Sequence, residues 1–286
     1  MKTILLPTDF SPNSINAIHY AIDLFEDCVC EFHILNVQKA SGFISDDFRT
    51  MSPSTTIYQT LIVSAKEALK ELITKLKAKQ NKKHSFEMMV DYDNFIDAIN
   101  QACALKKIEL IVMGTKGATG AERILFGSNT VRVMQRCKTP VIAVPKNSKF
   151  SSMDRIAFTS NYLTHYKEEE LMPLIHLAEL FHAKIDILHL IEEDQLSEDQ
   201  ENNKAYVDTC FKFVTHEFVD LEKHDLFDTV EEYIKDNDIK LLAMMGRKHS
   251  FLERLFTKHN IETFGFKIDI PMLVMENTGK LYTIKK

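Results

Sequence analysis

Residues 110–128 read LIVMGTKGATGAERILFGS, and the fold class follows from how this stretch is built. Leu110–Met113 is an apolar run of strand length with no polar residue at alternate positions. Such a strand is buried on both faces, as in a parallel sheet covered by helices. Four of the chain's eight glycines, Gly114, Gly117, Gly120 and Gly127, then fall within fourteen positions. Glycine is required where the main chain takes positive φ or where a ligand must approach the backbone. Gly127-Ser128-Asn129 opens a helical pattern through residue 137 and offers amides and a hydroxyl at a helix N-terminus, where an anion is stabilised. The segment is neither GxxxxGK[ST] nor GxGxxG.

Working outward, the same alternation of apolar run and amphipathic stretch fills the chain. Ile4–Pro7 is a strand closed by Thr8-Asp9, and Ser11 and Asn13 offer cap oxygens for the helix that follows. Phe32–Val37, Phe86–Val90 and Val141–Val144 read as further strands, separated by helical patterns over 58–80, 95–104 and 128–137. Residues 39–57 lack a period and read as a long loop. Five strands alternating with four helices predict a mainly parallel sheet with right-handed crossovers.

The order then repeats. LIVMGTKG (110–117) matches LLAMMGRKH (241–249), AERILF (121–126) matches LERLF (252–256), and PVIAVP (140–145) matches PMLVME (271–276). Gly114 to Gly246 is an offset of 132, and Pro140 to Pro271 one of 131. The near-constant offset marks a duplication. The expected organisation is two tandem doubly wound α/β domains, 1–147 and 153–286, joined by a linker near Lys146–Met153. Their apolar last strands, Val141–Val144 and Pro271–Met275, are expected to meet in an internal pseudo-dimer, since each would otherwise be an exposed edge.

Composition narrows the function classes. The chain has 286 residues, 45% of them hydrophobic and 27% charged, and a net charge of −6. No apolar run reaches the ~20 residues of a membrane span. The short start MKTILLPTDFS does not make a secretory signal, so a cytoplasmic location is expected. Five cysteines without a framework fit a reducing compartment. Cys28, Cys30 and His33 lie close in sequence but read as a strand entering a core, so no metal site is expected. Residues 1–150 carry 19 Lys and Arg against 15 Asp and Glu, leaving the first part at +4 and the remainder at −10. An acidic chain without tryptophan offers no nucleic-acid face.

The strand ends carry the candidate site. Thr8-Asp9 ends the first strand and Gly114 the fourth. With a strand order of 3-2-1-4-5 these two are neighbours whose connections leave to opposite sides, and ligands settle in the crevice outside such a reversal. Asp9 there could accept hydrogen bonds from ligand hydroxyls or simply cap the helix. No nucleophile elbow, HExxH or paired Cys/His is present, so no catalytic residue is assigned.

PTDFS at the start, ILNVQ in the second strand, and G-x2-G-x9-G-S at 114–128 followed by PVIAVP resemble the universal stress protein family, over essentially the whole chain as two copies. The resemblance implies a sheet of order 3-2-1-4-5 in each half with ATP at the first crevice. By matching position, Asp9 would face the adenosine, Val37 would offer backbone atoms near adenine, and Met113 and Gly114 would line the cleft. Gly117, Gly127, Ser128 and Asn129 would hold ribose and phosphates. It also implies Mg²⁺ or Mn²⁺ beside the phosphates and a role in stress regulation, with slow hydrolysis at most. A homodimer and a protein partner that the sequence does not identify are compatible with this. In the second half Asn161 stands for Asp9, His249 for Gly117 and Lys258-His259 for Gly127-Ser128, which reads as a degenerate site. The alternatives are a ligand-free interaction module and an adenine-nucleotide hydrolase on the same scaffold.

Overall fold

The computed structural model describes residues 2–38, 54–78, 81–92, 94–115, 126–190, 195–222, 226–246 and 269–276. The first half runs β1 (Lys2–Pro7), α1 (Pro12–Leu24), β2 (Cys30–Val37), α2 (Ser54–Lys77), β3 (His84–Asp91), α3 (Phe95–Lys106), β4 (Leu110–Gly114), α4 (Ser128–Arg136) and β5 (Val141–Val144). The second runs β6 (Arg155–Thr159), α5 (Glu168–Phe181), β7 (Lys184–Leu190), α6 (Glu198–Cys210), β8 (His216–Leu221), α7 (Leu226–Asp236), β9 (Leu241–Met245) and β10 (Met272–Met275). A fourth helix of the second half would fall outside the described residues, as do Gly117, His249, Lys258 and His259.

The ten strands of the described residues join one sheet of order β3-β2-β1-β4-β5-β10-β9-β6-β7-β8. Each half is therefore a parallel 3-2-1-4-5 unit. The halves meet where β5 and β10 pair antiparallel, Met272 opposite Ala143, Leu273 opposite Ile142 and Val274 opposite Val141. Central strands are buried on both sides, with every residue of β4 and β9 inside. The two edge strands, β3 and β8, are only half-buried along their length. Polar side chains on an edge discourage pairing with another chain.

Two apolar layers sandwich the sheet, and both run through both halves. One packs α1, α2, α5 and α6 against residues such as Ile4, Leu6, Val144, Ile156 and Leu273. The other packs α3, α4 and α7 against Leu5, Ile111, Ala143, Leu242 and Val274. The connecting segment is itself anchored. Phe150 lies 5.8 Å from the Tyr20 ring and 5.3 Å from the Phe181 ring, bridging α1 and α5. Asn16 Nδ2 donates to the carbonyls of Pro145 and Ser148. Among the described residues no helix is long and apolar enough to cross a membrane.

Three local expectations need correction. Asn13 is not a helix cap; it lies inside α1, buried, and Ser11 caps the helix by accepting from the Ser14 amide at 3.2 Å. Met88, which reads as core filling in the apolar run Met88–Val90, is 46% exposed on edge strand β3. The glycines at 114 and 127 also serve differently from one expected reason: Gly127 has φ −67°, and Gly114 lies outside the left-handed region. What position 114 needs is the missing side chain, since a β-carbon there would meet Asn13 of α1.

Candidate nucleotide crevice

The site grows from a change in direction. α1 and α2 cover one face and α3 and α4 the other, so the connections leaving β1 and β4 diverge and open a crevice at their carboxyl ends. Local hydrogen bonds fix the rim. After Pro7, the Thr8 amide donates to the Leu35 carbonyl at 2.8 Å. Thr8 Oγ1 accepts from the Phe10 amide at 3.0 Å and lies 2.9 Å from Ser14 Oγ. Phe10 takes the left-handed conformation, φ 61°. This tight turn leaves Asp9 exposed at the rim, with Oδ1 accepting from the Ser11 amide at 3.1 Å.

Residues that sequence reasoning passed over hold the strand ends. Buried Asn36 donates from Nδ2 to the Thr8 carbonyl at 2.8 Å, locking β2 to β1 beyond the last strand pair. Thr130 Oγ1 donates to the Gly114 carbonyl at 2.9 Å, and the Gly127 amide donates to the Thr115 carbonyl at 2.7 Å. Together these tie the start of α4 to the end of β4. A polar residue inside an apolar run, as Asn36 is in ILNV, was the signal available in the sequence.

The expected site residues thus occupy defined places. Thr8 is buried and its hydroxyl is engaged in the turn. Val37 ends β2; because Leu35 turns its carbonyl toward β1, strand alternation points the amide and carbonyl of Val37 to that same side, beyond the end of β1. Met113, next to last in β4, packs its side chain in the apolar layer under α3 and α4. Gly114 sits against α1. Gly127 is the N-cap of α4 and makes no side-chain cap, while Ser128 is exposed and Asn129 half-buried at the first turn.

The second half repeats the rim with other residues. Tyr162 has φ 55° where Phe10 has 61°, and the Leu163 amide donates to Asn161 Oδ1 at 3.2 Å. His189 Nδ1 lies 3.2 Å from the Ser160 carbonyl, standing in for the Asn36 bond. The His189 ring stacks on buried Tyr162, centroids 4.8 Å apart. Gly246 fits tightly for a reason of its own: a β-carbon there would lie 3.2 Å from the Met134 carbonyl of α4, in the other half.

The model of the universal stress protein family matches residues 1–145. Universal stress protein MJ0531 of Methanocaldococcus jannaschii is 33% identical over 148 residues, which cover 52% of this chain and 84% of that protein. The chain belongs to the universal stress protein family. As a tandem member it also matches whole solved chains. A universal stress protein from Archaeoglobus fulgidus superposes with a TM-score of 0.68 at 18% identity, covering 96% of each chain. Protein PA1789 from Pseudomonas aeruginosa does so with a TM-score of 0.57 at 12% identity, covering 97% of this chain and 93% of that one. At these identities the shared property is the fold.

Proposed function

We propose that this universal stress protein is a regulatory protein that holds ATP in its first crevice, with slow or no hydrolysis. The observation that supports it is the convergence of three groups at one reversal: the Asp9 carboxylate after β1, the main chain of Val37 at the end of β2, and the uncapped start of α4 fastened to β4. These match the three parts of the nucleotide. Asp9 would accept from ribose hydroxyls. The donor and acceptor of Val37 suit the edge of adenine. The amides of Ser128 and Asn129, at the positive end of α4, would take phosphate oxygens. Gly117 belongs to the same loop by sequence. Mg²⁺ or Mn²⁺ would come with the phosphates, completed by water and one or two protein oxygens; the Ser128 hydroxyl is suited to that role.

The second crevice is expected to stay without ATP, giving one nucleotide per chain. Asn161 lacks the charge of Asp9, and the stacked Tyr162–His189 pair carries bulk beside its rim. Isothermal titration of the full chain with ATP tests the reading. Gly117→Val should abolish binding, and Asp9→Asn should weaken it about tenfold or more, the worth of one charge-assisted hydrogen bond. A stoichiometry of two, or full-strength binding by Gly117→Val, would overturn it. Steady-state turnover should stay well below about 1 per second.

A further inference from the structure

Glu31, His33 and Glu87 form a second cluster, on the sheet face covered by α3 and away from the crevice. Strand alternation puts Glu31 and His33 on one face, and the β2–β3 register sets Glu87 beside His33. The His33 side chain is 1% exposed, yet each ring nitrogen faces a carboxylate: Nε2 is 3.2 Å from Glu31 Oε1, and Nδ1 is 3.2 Å from Glu87 Oε2. Lys106, the last residue of α3, places Nζ 2.7 Å from Glu87 Oε1. The two carboxylates are 31% and 43% exposed, so the cluster is reachable from solvent. Cys28 and Cys30 pack in the opposite apolar layer.

Despite its short contact, His33 Nδ1 makes no hydrogen bond. A neutral imidazole has one N–H and one lone pair. With the N–H on Nε2 toward Glu31, the Nδ1 lone pair and the Glu87 carboxylate face each other, two electron-rich groups in a buried place. A cation between them removes the conflict.

The second half shows the same position with its charges balanced. By register, Lys184, Asp186 and Glu217 stand where Glu31, His33 and Glu87 stand. There Arg155 Nε donates to Asp186 Oδ2 at 2.6 Å and Lys184 pairs with Glu217, two cations for two carboxylates. Among the described residues the first half has two carboxylates and Lys106 alone, one positive charge short.

We propose that His33 and Glu87 hold a divalent transition-metal ion of the zinc class, with Glu31 fixing the ring from its far nitrogen. Bonds of about 2.1 Å to Nδ1 and Oε2 span the 3.2 Å gap with an angle near 100°, suited to a tetrahedral ion. A carboxylate on the far N–H is the usual support of a metal-bound histidine. An imidazole ligand favours zinc over Mg²⁺, which separates this site from any ion carried by a nucleotide.

Zn²⁺ titrated into the full chain without nucleotide, followed by calorimetry and by NMR of the histidine ring nitrogens, tests the proposal. The His33 Nδ1 resonance should shift with one equivalent. His33→Gln and Glu87→Gln should each weaken binding at least about tenfold. Lys106→Met, which removes a competing ammonium, should tighten it. Zinc uptake unchanged in Glu87→Gln, uptake by cysteine with the His33 ring unmoved, or a His33 ring doubly protonated at neutral pH would each overturn it.

Discussion

Asn13 fills the space that a side chain on residue 114 would need: a β-carbon on Gly114 would lie 2.7 Å from Asn13 Nδ2 and 3.0 Å from the Asn13 carbonyl oxygen. The amide group could turn away, but the carbonyl belongs to α1 and moves only with the helix. Gly114→Ala should therefore destabilise the protein by about 1–3 kcal/mol, the usual cost of overpacking. Urea unfolding measures it. An unchanged midpoint would mean that α1 slides freely over β4.

Gly246→Val should cost a similar amount, roughly 1–3 kcal/mol, because the added group meets the Met134 carbonyl and Val274. Its effect on ATP affinity should be within about twofold, since the contact joins the two halves and not a ligand. A large loss of affinity with normal stability would contradict this account of the residue.

Asp186 is fully buried and accepts from Arg155 Nε at 2.6 Å and from the Tyr233 hydroxyl at 3.1 Å. Asp186→Asn strands the guanidinium. The expected loss is about 2–3 kcal/mol, less than the about 3–5 kcal/mol of a fully buried pair, because water still reaches Arg155. Loss of less than about 0.5 kcal/mol in urea unfolding would show that the network is energetically idle.

The same network makes a pH prediction. The hydrogen bond from Lys184 holds the Glu217 carboxyl below its ordinary pKa, and Arg155 adds to this. A depressed pKa in the folded state gives stability that is present above the ordinary carboxylate value and lost as pH falls through the folded one. Wild type should thus exceed Glu217→Gln at pH 7, and the gap should close on acidification. A gap independent of pH between 7 and 3 would refute the assignment.

Residues 1–147 expressed alone should form a homodimer or aggregate, because removing β10 bares the apolar β5 edge, Val141–Val144. Light scattering after size exclusion reads the mass. A stable monomer at high concentration would show that the β5–β10 seam is dispensable.

The fold was legible because its signals are local and repeated. Apolar runs such as LIVM and LLAMM declare doubly buried strands, and the glycine and proline offsets declare the second copy. Strand ends were legible as well, since Thr8-Asp9 and Gly114 break those runs. What escaped was polar detail that depends on partners distant in sequence. Asn36 reads as an ordinary strand residue until β1 places Thr8 beside it. Met88 reads as core until its strand proves to be the edge. His33 reads as core too, and only the register with β3 brings Glu87 against it.

The antiparallel seam has a geometric consequence for where the two crevices open. Since β1–β5 all run one way and β6–β10 the other, the two crevices open on opposite rims of a single plate, back to back. A protein that docks on one rim meets only the strand beginnings of the other half. Among the described residues, what joins one rim to the other is three registered residue pairs centred on Ile142 and Leu273, the helices packed above and below them, and the connecting segment anchored by Phe150.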